Sequence, residues 1–162
     1  MAEAYLSLGA NLGDRARAIG DAADRLAQVP GIAALRLSGL YETPPWGEAD
    51  QPPFLNAAAA LETTLPPHDL LAACLGVEQV LGRVRARRWG PRAIDVDIVH
   101  MPGVALSDPD LTLPHPHWRA RAFVLVPLLA LAPDLAIDGM PLSAALAGLP
   151  PGEVEGVRRW GD

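Results

Sequence analysis

The segment from Ala93 to His100 places the strongest constraint on the fold, because its side chains alternate strictly. Isoleucine or valine occupies every second position, and Asp95 and Asp97 stand between them. Successive side chains of a β-strand point to opposite faces of a sheet. The segment therefore predicts a strand with one face in a core and two carboxylates together on the other face.

Three further segments have the composition of strands: Ala4 to Leu8, Ile32 to Tyr41, and Phe54 to Thr63. The alanine run of the last is also compatible with a helix. Proline and glycine separate these segments, and Thr43 to Pro53 and Arg83 to Pro91 have the composition of loops.

Three helices are predicted by apolar residues at helical spacing. The first follows the cap Gly13-Asp14, the second begins at Pro66-Pro67, and the third runs from about Ala120 to Leu131. A weak strand and a short helix close the chain. The order β-α-β-β-α-β predicts an α+β fold with a ferredoxin-like core, a mainly antiparallel sheet with two helices on one face. The third helix is expected on the other face, which gives three layers.

Length and charge limit the functional classes. The 162 residues suit one domain, 1–162, and the net charge of −6 argues against nucleic-acid or membrane partners. The chain begins without a basic leader, Pro127 interrupts its most apolar segment, and Cys74 is its single cysteine. We expect a cytoplasmic monomer.

The basic residues are unusual in kind and in position. All thirteen are arginines, which excludes a Walker-type phosphate loop, a lysine Schiff base and a lysine general base. Five fall within ten residues: Arg83, Arg85, Arg87, Arg88 and Arg92. Guanidinium groups bind phosphate oxygens in a planar fork. A dense arginine cluster in an acidic chain indicates a site for a small, highly charged anion, although a solvated loop explains Arg87 or Arg88 singly.

Asp95 and Asp97 are the strongest candidates for metal ligands. Two like charges about 6 Å apart repel by roughly 3 kcal/mol at an effective dielectric near 20. Hard oxygen ligands, few in number and open to water, suit magnesium that bridges substrate phosphates. The alternative is an exposed strand face with two solvated acids. Arg92, three residues ahead of Asp95, favours the phosphate site.

Two other groups of residues are candidates for binding. His115, held between two prolines, and Arg121 have the chemistry to contact a phosphate, although a backbone-satisfied histidine and a surface arginine are the alternatives. The pair of His115 and His117 lacks further ligands at zinc spacing. Five residues form an aromatic and amide group suited to a flat heterocycle: Gln51, Phe54, Asn56, Trp89 and Phe123.

The motifs resemble those of the hydroxymethyldihydropterin pyrophosphokinase family along nearly the whole chain. Arg88 to Val99 is similar to the family's signature. The remaining similar segments are Leu8 to Gly13, Tyr41 to Pro45, Asp50 to Ala58, Leu111 to His115 and Arg121 to Leu128. The resemblance implies a magnesium-dependent transfer of pyrophosphate from ATP to 6-hydroxymethyl-7,8-dihydropterin, which yields AMP in folate biosynthesis.

The resemblance also implies a role for each matching residue. Asp95 and Asp97 would hold two Mg²⁺ ions, with Arg83 and Arg92 acting in catalysis. The implied ATP contacts are Glu78, Arg85, Arg92, Ile98, Thr112, His115 and Arg121. The implied pterin contacts are Thr43, Pro44, Pro45, Trp46, Phe54, Asn56, Trp89 and Phe123.

The chain departs from the family pattern at Ala10, usually a serine, at Asp110, basic in some relatives, and at Phe54, commonly a tyrosine. The arginine loop also differs in length from that of some relatives. Two other functions are compatible with the paired carboxylates: a two-metal phosphohydrolase, and a nucleotide-binding module without turnover.

Overall fold

A single antiparallel sheet organises the molecule, with β1 (Ala2–Ala10) near its centre. The structure, a computed structural model, describes residues 1–44, 50–82 and 93–161. In that part of the chain the sheet has the order β10-β3-β4-β1-β5, and β2 also pairs with β4. The other strands of the sheet are β2 (Ile32–Leu37), β3 (Leu40–Thr43), β4 (Phe54–Thr63), β5 (Asp95–His100) and β10 (Arg158–Trp160).

Five α-helices and two small hairpins complete the described residues. The helices are α1 (Arg15–Ala27), α2 (Pro67–Val80), α3 (Ala122–Leu131), α4 (Leu142–Ala147) and α5 (Pro151–Glu155), with a 3₁₀ turn at Trp118–Ala120. The hairpins pair β6 (Leu106–Ser107) with β7 (Thr112–Leu113), and β8 (Ala136–Ile137) with β9 (Met140–Pro141). Among the described residues, none of the helices combines the length and the apolar composition needed to cross a bilayer.

Each face of the sheet carries its own core, because alternate residues of every strand point to opposite sides. On one face Leu6, Leu8 and Val96 pack with residues of α1 and α2. On the other face Tyr5 and Val99 pack with α3 and α4. The molecule thus has three layers, and the predicted α+β fold with a ferredoxin-like strand order is confirmed.

The segment predicted as one strand from Ile32 to Tyr41 is divided into β2 and β3. Ala34 has a positive φ of 52° at a register shift, and Ser38 lies between the two strands. The backbone N–H and the hydroxyl of Ser38 both bond to Ala58, each at 2.8 Å. The chain therefore bends without leaving the edge of β4, so that β2 and β3 pair with β4 in succession.

The other element predictions need small adjustments. Phe54–Thr63 is a strand as predicted, and its alanines are buried between two layers of helices. The third helix begins at Ala122, after the 3₁₀ turn, and retains Pro127 inside it. The C-terminal region adds β10, which pairs with β3 and extends the sheet by one strand.

Candidate active site

Asp95 and Asp97 lie on the face of the sheet that carries α3, at the edge strand β5. Their Cα partners across β1 are Gly9 and Ser7, two residues apart on the same side. Val96, between them, points into the opposite core. The alternation of the sequence therefore places both half-buried carboxylates together.

Gly9 leaves a gap in the sheet face between the carboxylates and Asn56. It pairs with Asp95 on one side and with Asn56 of β4 on the other. A methyl group at Gly9 would lie 3.0 Å from Asn56 Oδ1 and 3.9 Å from the Phe54 ring. A flat group approaching the sheet here meets the Asn56 carbonyl oxygen and the backbone of β1.

The orientation of the Asn56 amide is set by Thr43 on the neighbouring strand. Asn56 Nδ2 donates a hydrogen bond of 2.9 Å to the Thr43 hydroxyl, and both residues are buried. Because the NH₂ group is directed to Thr43, the amide oxygen is the atom nearest to Gly9. This position presents an acceptor to the N–H edge of a heterocycle.

A third carboxyl group lies beneath the two aspartates. Glu78, in the last turn of α2, is only 2% exposed, and its Oε2 accepts a hydrogen bond of 2.7 Å from Val96 N–H. Burial raises the pKa of Glu78 to about 8, helped by the charges of Asp95 and Asp97 and opposed by the Val96 bond. Its carboxyl group lies next to that of Asp95.

An open cavity of about 240 Å³ runs along the outer edge of β5. Four residues proposed from the sequence line it: Asp97, Ile98, Thr112 and His115. The remaining lining residues are Leu71, Val96, Pro109, Asp110, Leu111 and Pro116. The cavity combines an apolar wall with two carboxylates and one imidazole, a suitable environment for a nucleotide base next to its metal-bound phosphates. Phe54, Asn56 and Phe123 are not part of its lining.

The imidazole of His115 is held in one tautomer. Its Nδ1 accepts a hydrogen bond of 3.1 Å from His117 N–H, and its backbone N–H donates to Val99 O at 2.8 Å. Burial, and then the charges of Arg121 and His117, lower the pKa of His115 to about 4. The ring is therefore neutral near pH 7 and carries its proton on Nε2, from which it can donate.

Arg121 and Phe123 stand at the beginning of α3, above the same sheet face. Arg121 is only 9% exposed, and its guanidinium lies 5.5 Å from the centre of the Phe123 ring. Burial lowers the pKa of Arg121, while the charges of Asp97 and Asp95 raise it. A buried guanidinium in the field of two acids is well placed to bind a phosphate oxygen.

Two polar side chains, Asn11 and Arg15, fix the segment that precedes β4. The sequence pattern did not predict this role for either residue. Asn11 Nδ2 donates to Gln51 Oε1 at 2.8 Å and to Pro52 O at 3.0 Å. Arg15 bonds to Glu42 Oε2 at 2.8 Å and to Pro53 O at 3.0 Å. The position of Asn11, a polar residue directly after a buried strand, was the available signal.

Several of the proposed residues lie outside the described part of the chain. These are Pro45, Trp46, Arg83, Arg85, Trp89 and Arg92, together with Arg87 and Arg88 of the arginine cluster. Pro44 is described, and it is exposed at the end of β3.

A second acidic group lies at the outer rim of the cavity. His68 Nε2 is 3.1 Å from Asp108 Oδ2 and 3.4 Å from Asp110 Oδ1. Within the described residues these three form the one group whose possible ligand atoms all lie within 4.8 Å of one another. Exposed acids adopt such arrangements without a cation, so we assign no ion to them.

Comparison with known proteins identifies the family. The sequence model of the 7,8-dihydro-6-hydroxymethylpterin-pyrophosphokinase (HPPK) family matches residues 5–133. This chain belongs to that family. It is 53% identical over 157 residues to the 2-amino-4-hydroxy-6-hydroxymethyldihydropteridine pyrophosphokinase of Methylorubrum extorquens, covering 97% of this chain and 99% of the relative. The enzyme of the same name from Pseudomonas aeruginosa is 46% identical over 156 residues, covering 96% and 94%.

Solved structures support the fold. A wild-type HPPK-DHPS from Plasmodium falciparum with pteroate superposes with a TM-score of 0.70 at 15% identity, covering 90% of this chain. An HPPK-DHPS in complex with substrates gives a TM-score of 0.68 at 13% identity, again covering 90%. This HPPK chain spans less than half of those longer chains, 42% and 43% respectively.

Proposed function

We propose that this HPPK transfers pyrophosphate from ATP to 6-hydroxymethyl-7,8-dihydropterin, and that its nucleotide and pterin sites meet at the Asp95–Asp97 face of the sheet. The observation that carries this proposal is the position of Asp97. It shares a sheet face with Asp95 and also lines the cavity that contains Ile98, Thr112 and His115. Family membership supplies the reaction.

The family uses ATP and Mg²⁺, and the residues present suit that ion. Asp95 and Asp97 offer oxygen ligands on one face, next to two groups that bind anions, Arg121 and His115. We assign two Mg²⁺ ions to this carboxylate pair. When bound, magnesium neutralises phosphate charge and increases the acidity of the alcohol.

The nucleotide is placed along the outer edge of β5. Ile98 and Thr112 line the cavity where we place the base, and the phosphates extend past His115 towards Arg121. The neutral His115 ring donates from Nε2, and Arg121 contributes a positive charge. Arg83, Arg85 and Arg92 are proposed to bind the phosphates as well, with Arg83 and Arg92 acting directly on the transferred group.

The pterin is placed over Gly9. Asn56 presents its amide oxygen to the N–H edge of the ring, with Thr43 fixing the amide. Phe54 and Phe123 provide aromatic surfaces for the ring. Pro44, Pro45, Trp46 and Trp89 are proposed to complete this site.

The reaction needs positioning and charge neutralisation more than covalent work by the protein. The hydroxymethyl oxygen of the pterin forms a bond to the β-phosphorus of ATP. The bond from that phosphorus to the oxygen bridging to the α-phosphate breaks, AMP leaves with the bridging oxygen, and one proton is released. Arg121 and His115 stabilise the charge that develops on the phosphate oxygens.

We further propose that residues 1–162 act as one pyrophosphokinase domain, as a monomer in the cytoplasm. Sedimentation of the purified chain tests the monomer. A concentration-independent mass of twice the chain's 17.1 kDa would contradict it.

One assay tests the reaction against the two other functions. The protein is mixed with ATP, Mg²⁺ and hydroxymethyldihydropterin, and the products are separated by chromatography. Equal amounts of AMP and pterin pyrophosphate support the proposal. Phosphate release without pterin would indicate a phosphohydrolase, and nucleotide binding without any product would indicate a binding module.

A further inference from the structure

Glu78 occupies a position from which it can control both aspartates without reaching the substrates. Its Oε2 accepts a hydrogen bond of 2.7 Å from the backbone N–H of Val96, the residue between Asp95 and Asp97. Its carboxyl group also lies next to that of Asp95, whose charge raises the pKa of Glu78. One side chain therefore fixes the backbone between the two aspartates and lies against the carboxyl group of Asp95.

The bond to Glu78 gives the Val96 N–H an acceptor that the sheet does not provide. β5 is the last strand of the sheet in the described chain and pairs with β1 alone. Val96 is 3% exposed, so water has little access to its N–H. A buried N–H without an acceptor costs about 1–3 kcal/mol, and the amide would be expected to turn towards water if Glu78 were absent.

A purely structural role does not account for the choice of a carboxyl group. Burying an acid next to two others is unfavourable, and a hydrophobic residue would pack against β5 without that cost. The carboxyl group of Glu78 nevertheless lies buried, at 2% exposure, next to Asp95 and Asp97. Groups that hydrogen-bond to metal ligands orient those ligands, and their loss typically weakens metal affinity about 10–100-fold.

We propose that Glu78 is a positioning residue that sets the orientation of Asp95 and the local backbone of β5, so that the carboxylate pair receives a divalent cation without rearrangement. In this proposal Glu78 acts through Asp95 and Val96, in place of the direct ATP contact that the family resemblance implied, because its side chain is 2% exposed and accepts the Val96 N–H bond. The inference rests on the proposed function of the carboxylate pair as the metal site.

Three variants separate hydrogen bonding from packing. Glu78→Gln keeps an acceptor for Val96 N–H and a donor for Asp95. Glu78→Met keeps a side chain of similar length and removes the acceptor for Val96 N–H and the carboxyl group next to Asp95. Glu78→Asp withdraws the carboxyl group by one methylene and provides a second disruptive variant if Glu78→Met does not fold.

The experiment measures Mn²⁺ binding in the presence of α,β-methylene-ATP. The EPR signal of free Mn²⁺ reports how much of the ion remains unbound. No pterin is present, so the measurement does not depend on turnover. We expect Mn²⁺ affinity to fall about 10–100-fold in Glu78→Met and Glu78→Asp and to stay within about threefold of wild type in Glu78→Gln. With both substrates, excess Mg²⁺ should restore much of the lost rate, which loss of folded protein would not allow.

Leu26→Ala on α1 is the matched control for lost stability, since emptying a fully buried leucine site costs about 2–5 kcal/mol. It should leave Mn²⁺ affinity unchanged. Wild-type affinity in Glu78→Met or Glu78→Asp, or an equal loss in Leu26→Ala, would overturn the inference. If the wild type binds Mn²⁺ with the nucleotide but forms no pterin product, the proposed reaction fails while the Mn²⁺ comparison still tests Glu78.

Discussion

The side-chain amide of Asn56 donates a 2.9 Å hydrogen bond to the hydroxyl of Thr43 across the β3–β4 pair. We expect Thr43→Val, which keeps the shape of the side chain, to free the amide to rotate. The oxygen directed at Gly9 would lose its fixed position, and KM for the pterin should rise about tenfold, equivalent to about 1.4 kcal/mol. Steady-state kinetics with each substrate varied should show KM for ATP unchanged.

Thr63 at the other end of β4 offers the matched control. Its hydroxyl is buried and bonds to Gly31 O and Leu65 N–H, away from the site. Thr63→Val should lower stability by about 1 kcal/mol and leave both KM values unchanged. Equal effects of the two substitutions on pterin KM would contradict the role given to Thr43.

Gly9→Ala should impair pterin binding through lost space. The added methyl group would lie 3.0 Å from Asn56 Oδ1, and the backbone at Gly9 does not have the positive φ that would exclude alanine. We expect pterin affinity to fall at least about tenfold, measured by calorimetry with the unreactive nucleotide present. Gly20→Ala on α1, where a methyl group meets nothing within 4 Å, should retain wild-type affinity.

Asp97→Asn and Asp95→Ala should abolish turnover and leave the fold intact. Each change removes a ligand and also relieves the repulsion between two like charges. In the absence of Mg²⁺, this relief is opposed by the lost attraction to buried Arg121, so the midpoint of thermal unfolding should stay close to that of the wild type. Full activity in either variant, measured as AMP release, would refute the assignment of the metal site.

The stability of the protein should depend on the protonation of His115. Its pKa is lowered from 6.5 to about 4, first by burial and then by the charges of Arg121 and His117, with Asp95 opposing. Between these two pKa values the unfolded chain binds more protons than the folded one, so stability falls with pH in this range. The stabilising contribution of the neutral His115 ring is complete above pH 6.5 and is lost as the pH falls towards 4.

His115→Asn tests this dependence, because the Asn oxygen can accept the His117 N–H bond without titrating. Between about pH 7 and about pH 5, the wild type should lose roughly 1–2 kcal/mol more of its free energy of unfolding than the variant does. Urea denaturation at each pH provides the measurement. Parallel losses in the two proteins would show that His115 does not titrate as described.

Local sequence pattern predicted most of the fold. The alternation around Asp95 fixed both the strand and the face of its carboxylates, because the period of two allows no other arrangement. The break at Ser38 was not predictable, since it depends on hydrogen bonds to Ala58, twenty residues away in the chain.

The candidate site was predicted in parts. Asp97, Ile98, Thr112 and His115 were proposed from motifs, and the structure brings them to one cavity. The role of Gly9 as a gap, and the bond from Glu78 to Val96, arise from contacts between separate elements. Such contacts join residues far apart in the chain and leave no periodic signal in the sequence.

The row formed by Asn56, Gly9 and Asp95 sets a fixed distance through the backbone ladder. Adjacent strands lie about 4.8 Å apart, so Asn56 and Asp95 are separated by roughly 10 Å of hydrogen-bonded sheet. Substituting side chains at one end of this row does not move the other end. Specificity for the pterin ring and specificity for the nucleotide can therefore change independently during evolution. The distance between the pterin hydroxymethyl oxygen and the β-phosphorus that it attacks is preserved.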